Sequence, residues 1–150
     1  MGIPKSITEL KFTSALDILG TPAATDRNGA TLDMDGFKGV LMVVKFAAIE
    51  AAGVNSIKAQ QGAASNLSDA ADLAGTKIDV AADDDNQIFI IDLYEPTERY
   101  VRLVVDKDTT HTTDEAAFYI QYGARFRPTT VTVTDAVTYE RHISPAEGTA

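Results

Sequence analysis

The segment Ala116-Ala117-Phe118-Tyr119-Ile120-Gln121-Tyr122-Gly123-Ala124-Arg125-Phe126-Arg127 carries the clearest periodicity in the chain. Taken every second residue, Phe118, Ile120, Tyr122, Ala124 and Phe126 fall on one side, and Tyr119, Gln121, Gly123, Arg125 and Arg127 on the other. Successive side chains of a strand point to opposite faces, so an apolar set alternating with a more polar one reads as a half-buried β-strand. This reading sends the Phe118 set inward and the arginines outward.

The neighbouring segments tell the same story. Residues 99–106 alternate with Val101, Leu103 and Val105 inward, and Glu95-Pro96-Thr97-Glu98 before them is a turn. Residues 87–94 hold the run Ile88, Phe89, Ile90, Ile91 and Leu93, which predicts a buried strand. In residues 39–49, Val40, Met42, Val44, Phe46 and Ala48 share one face, while Leu41, Val43 and Ala47 on the other are also apolar. That strand is predicted to be covered on both sides, and Val40, Val43 and Val44 favour strand over helix. Residues 31–34 predict a short strand, residues 55–61 a weaker one and residues 77–80 a clearly alternating one, and residues 6–19 an opening strand with imperfect alternation. Asp26-Arg27-Asn28-Gly29 has the composition of a tight turn. Residues 65–74 predict the one helix, with Asn66 or Ser68 as cap, Asp69 in its first turn and Gly75 at its end.

About seven or eight short strands, punctuated by turns, predict an all-β fold: a jelly-roll-like β-sandwich with one short helix and extended terminal arms. An up-and-down barrel is the competing architecture. The sandwich is expected over residues 1–128, with an N-terminal arm of about residues 1–7, and residues 129–150 as an extended C-terminal arm. Thr129-Thr130-Val131-Thr132-Val133-Thr134 has high β propensity yet follows the last core strand, a character suited to pairing with an exposed sheet edge.

Composition narrows the function classes. The chain has 150 residues, the size of one domain, and no cysteine, which removes disulfides, thiolate metal sites and cysteine nucleophiles. With 13 Lys and Arg against 22 Asp and Glu, the net charge is -9. Binding a nucleic-acid backbone needs clustered cations, so no nucleic-acid partner is expected. No apolar run approaches the ~20 residues of a membrane span, so no membrane partner is expected either. Gly2 with Ser6 fits a myristoylation pattern and Asn66-Leu67-Ser68 a glycosylation sequon, both by letter only.

Chemical motifs are sparse. His111 lies in a Thr-rich loop where Asp108 or Asp114 could orient it, but there is no G-x-S-x-G nucleophile turn and no phosphate-binding glycine loop. No catalytic residues are assigned, and the chain is expected not to be an enzyme. Asp83-Asp84-Asp85-Asn86 gathers hard oxygen ligands, which makes Asp83, Asp84 and Asp85 the only metal candidates. Adjacent acids cannot all turn inward, so a solvated acidic turn is the preferred reading and no cofactor is expected. With no Trp and 7% aromatics, a sugar-stacking platform is poorly supplied. The residues expected at an interface are Arg99, Arg102, Tyr119, Arg125 and Arg127, with Val131, Val133, Tyr139 and Arg141 from the tail.

Glu98-Arg99-Tyr100-Val101-Arg102-Leu103-Val104-Val105 and the later stretch from Phe118 through Gly123 to Pro128 resemble a pattern of small structural proteins of tailed bacteriophages. The order of Gly36-Phe37, an apolar strand, Lys58-Ala59-Gln60-Gln61, and an Asp-rich turn before Gln87-Ile88-Phe89 is similar to theirs as well. The resemblance covers roughly residues 30–128, and the long tail after Pro128 departs from it. It implies a capsid decoration, or cement, protein on the exterior of the virion. Such a protein binds the major capsid protein and bridges neighbouring shell subunits as a homo-oligomer, with a trimer suited to three-fold shell positions. A carbohydrate- or receptor-binding module of a tail or fibre is the alternative.

Overall fold

A computed structural model describes residues 9–126, 137–139 and 147. The expected N-terminal arm, and with it Arg127, Val131, Val133 and Arg141, lies outside the described residues.

Ten strands, all paired antiparallel, form two sheets: β1 (Lys11–Leu16), β2 (Arg27–Asn28), β3 (Leu32–Asp33), β4 (Gly39–Ile49), β5 (Asn55–Gly62), β6 (Ala71–Asp72), β7 (Ile78–Val80), β8 (Ile88–Tyr94), β9 (Tyr100–Asp106) and β10 (Thr113–Tyr122). The first sheet runs β1-β10-β4-β8. In the second, β9 and β5 lie side by side, with β2 and β3 in succession along the outer edge of β9 and β6 and β7 along that of β5. The all-β expectation holds, as a sandwich of two antiparallel sheets.

The core fills the space between them. Val40, Met42, Val44 and Phe46 of β4 meet Ile57 and Ala59 of β5 and Val101, Leu103 and Val105 of β9, all fully buried. Each such aliphatic or aromatic side chain contributes about 1.5–3 kcal/mol on burial. Phe89 packs edge-on against Phe46, ring centroids 5.6 Å apart. The inward sets read from β4 up to Phe46 and from β9 are the observed ones. Ala48 is exposed instead, because the pairing of β10 with β4 slips between Thr113 and Glu115.

Strand β10 is inverted relative to the sequence reading. Ala117, Tyr119 and Gln121 face the core, while Phe118 is exposed. Tyr119 is therefore a core residue and not an interface residue. Its hydroxyl donates to the Ala30 carbonyl and accepts the Leu103 N–H, each at 2.9 Å, and Gln121 Nε2 donates to the Asp33 carbonyl at 2.8 Å. These bonds span the two sheets, and Phe118 has no polar atom to make them.

Three local expectations are also corrected. Residues 65–74 form turns and the short β6, and no α-helix is present among the described residues. The Asp69 carboxylate accepts the N–H groups of Ala63 and Ala64, and Asn66 Oδ1 accepts that of Ser68. Side chains thus supply the bonds a helix would have made, and Leu67 takes a positive φ of 53° with its side chain buried. Asp26-Arg27-Asn28-Gly29 is not a turn: Arg27 and Asn28 pair with Val105 and Val104, and the Gly29 N–H donates to Leu103 O. Gly29 is needed for space, since a Cβ there would lie 2.5 Å from the Tyr119 hydroxyl. The opening strand is shortened to β1, because the N–H groups of Leu19 and Gly20 turn to the Asp114 carboxylate.

Candidate interaction surfaces

The outer side of the first sheet is apolar. Register places Ser14, Phe118, Val43 and Ile90 in one row across its four strands. The next row is Phe12, Ile120, Leu41 and Asp92, and beyond it Tyr122, Gly39 and Tyr94. On the other flank lie Ala116, Lys45 and Ile88. The protruding members are well exposed: Ile88 58%, Tyr94 56%, Ile90 52% and Phe118 43%. Ile88 and Ile90 correct the expectation of a wholly buried strand, since only Ile91 of β8 is fully covered and Phe89 and Leu93 partly so.

At one corner the rings of Tyr94 and Tyr122 stack in near-parallel planes, centroids 6.5 Å apart. The Tyr122 hydroxyl donates to Asp92 Oδ1 at 2.6 Å, and burial together with the Asp92 carboxylate pushes its pKa up to about 12. Gly39 makes this possible: any side chain there would run into the Tyr122 ring.

Beside β1 the face continues into a groove of about 610 Å³. Phe12, Leu16, Ile18 and Phe118 form its apolar walls, and Val137, Thr138 and Tyr139 line it from the tail. Tyr139 is thus the one tail interface candidate that the described residues place, against the body of its own chain.

The arginines are differently engaged. Arg99 makes a two-pronged pair with Asp33, through Nε at 3.0 Å and Nη2 at 2.7 Å, and lies over the Tyr100 ring. Arg102 Nε donates to Gln60 Oε1 at 2.8 Å. Arg125 is exposed, and its N–H donates to the Gly36 carbonyl. Of the three, Arg102 acts through its charge on the Tyr119 hydroxyl, but Tyr119 is buried and does not share a surface with the arginines.

The acidic loop is a structural turn. Asp84 accepts the Ala81 N–H and the Gln87 amide, and Asp85 accepts the Ile49 N–H at 2.7 Å, while Asp83 is exposed. Among the described residues no group of three or more His, Cys, Asp and Glu is placed to hold a metal ion. His111 lies 3.2 Å from Asp108, whose carboxylate also accepts two bonds from Thr110 and is held well below the usual carboxylate range by them. Asp114, the other residue expected to orient His111, is turned to Leu19 and Gly20.

A buried charge cluster escaped the sequence reading altogether. Glu115 pairs with Lys107 at 2.7 Å and with Arg27 at 3.0 Å, and the Lys107 and Glu115 side chains are fully buried. Lys107 Nζ also donates to the carbonyls of Ala23 and Thr113, and Arg27 to those of Glu115 and Asp17. Burial pushes the Glu115 carboxyl up, against the pull of both cations. Lys107 Nζ and both terminal nitrogens of Arg27 are turned onto backbone carbonyls or onto Glu115, which makes the cluster a clamp on the segment between β1 and β2.

The apolar face, by contrast, had a signal in the sequence. Strands β4 and β8 are apolar on both sides, and an all-β chain offers no helix to cover the outer one. Among the described residues no helix is long and apolar enough to cross a membrane. No protein-family model matches the sequence, and no curated protein matches it.

Proposed function

We propose that the protein is a structural component of a phage particle, binding the outer surface of the capsid and bridging neighbouring copies of the major capsid protein. The observation that carries this reading is the exposed apolar face of the first sheet, on a chain otherwise charged at -9. Contiguous apolar surface of this kind marks protein contact. The functional centre is thus a surface.

The jelly-roll reading is supported by strand order. With β2 and β3 counted as one broken strand and β6 and β7 as another, the described residues form eight strands. They pair first with eighth, second with seventh, third with sixth and fourth with fifth. A long antiparallel hairpin rolled up on itself has this order, and jelly rolls are common in viral shells. The exterior position follows from charge: packaged DNA repels an acidic chain, while a ligand of the assembled shell stabilises it by mass action.

The test is co-sedimentation with purified shells. The full chain is expected to pellet with them, and a variant lacking residues 129–150 to bind at least about tenfold more weakly, through lost multivalency. Equal binding by both would show that residues 129–150 add nothing to shell binding, and no binding by either would remove the shell reading.

The Tyr94–Tyr122 stack, with Asp92 beside it, favours a second reading as a carbohydrate- or receptor-binding module. Glycan-array binding abolished by Tyr94→Ala would support that alternative.

A further inference from the structure

We infer that the outer face of the β1-β10-β4-β8 sheet receives the same face of a second copy of this chain, packed two-fold. The inference rests on the protein-contact reading of that face and gives the face itself to a second copy, so that a paired chain meets the shell through its remaining surfaces.

The argument begins with charge. Two chains each carrying -9 repel unless they meet where the local charge is balanced. Across the four rows of the face the charged side chains are one cation, Lys45, and one anion, Asp92. They flank the central row of Phe118, Val43 and Ile90 on opposite sides. A two-fold axis along that row sets the Lys45 row of one copy over the Asp92 row of the other. Lys45 then stands opposite Leu41 of the partner subunit, one strand from the partner subunit's Asp92. Adjacent strands are about 4.8 Å apart, within reach of a lysine side chain. The pair forms twice, while Phe118 and Ile90 pack around the axis. An acidic or basic foreign surface would find no such match on a face balanced within itself.

Size sets the strength. Four strands about 4.8 Å apart and six steps of about 3.4 Å from Gly39 to Lys45 give a patch of roughly 400 Å². That is about half of the ~800 Å² per partner of a standard stable interface, so pairing is concentration-dependent. The groove beside β1 continues the same surface and extends the footprint.

The test is sedimentation equilibrium of the full chain across a wide concentration range, beside Ile90→Asp and the charge pair Lys45→Asp and Asp92→Lys. The wild type is expected to pass from monomer to dimer. Ile90→Asp should raise the dissociation constant at least tenfold with an unchanged far-UV spectrum. Lys45→Asp should weaken pairing, and adding Asp92→Lys should restore it. A wild type that stays monomeric, a trimer, or association unchanged by Ile90→Asp would each overturn the inference. Shell co-sedimentation on the same samples keeps the two readings apart. A chain that binds shells but never pairs defeats this inference alone, and one that pairs without binding shells defeats only the capsid role.

Discussion

The Tyr119 hydroxyl joins Ala30, on the loop before β3, to Leu103 in β9, and burial pushes its pKa up to about 12. Tyr119→Phe strands a buried N–H and a carbonyl and is expected to cost about 1–3 kcal/mol in urea denaturation. Glu115→Gln leaves Lys107 buried beside a neutral amide. Breaking a buried pair on one side costs about 3–5 kcal/mol, whereas replacing Glu115 and Lys107 together by Leu and Met should recover most of it. Acid titration tests the exposed carboxylates. Arg99 holds Asp33 below its ordinary value, and backbone N–H groups do the same for Asp69 and Asp108. With folded values depressed, their contribution is complete above the ordinary pKa of 3.8 and is lost as pH falls through the lower folded values. Melting temperature should therefore fall below about pH 4, and Asp108→Asn should flatten that fall.

At the scale of elements, periodicity revealed each long strand but not which of its faces looks inward. Phe118 and Tyr119 are adjacent, both large, and a shift of one residue exchanges them. The choice is made by long-range bonds from Tyr119 and Gln121 to segments some 16 to 89 residues away, which no local window contains. The same limit hid the Arg27–Glu115–Lys107 clamp, in which Arg27 lies 88 residues from Glu115. The helix expected over residues 65–74 failed for a local reason, because Asp69 accepts the N–H groups of Ala63 and Ala64 ahead of it and Asn66 accepts that of Ser68 within it. Leu67 pins this loop to the core, so Leu67→Ala should cost about 2–4 kcal/mol and expose residues 62–76 to limited proteolysis. The double-sided apolar pattern was legible in both β4 and β8: it marks burial on both faces at the centre of β4, where Val43 is covered, but in β8 it marks an outer face that leaves Ile88 and Ile90 exposed.

On the scale of the whole molecule, most strand pairings are long-range: first with eighth and second with seventh join the two ends of the fold, and only the pairing of β5 with β6 and β7 is local. Such non-local pairing folds in milliseconds to seconds, a prediction for stopped-flow refolding from urea. One consequence comes from the broken strands. The outer margins of the second sheet consist of the two-residue β2, β3 and β6 and the three-residue β7, each interrupted before it can present a continuous ladder of free N–H and C=O groups. A short, stepped margin is a poor template for a foreign strand. Of the two layers, only the one bounded by β1 and β8 offers an uninterrupted margin for such pairing. The fragmentation that makes these segments hard to recognise in sequence thus removes one whole sheet as a seed for fibrous growth.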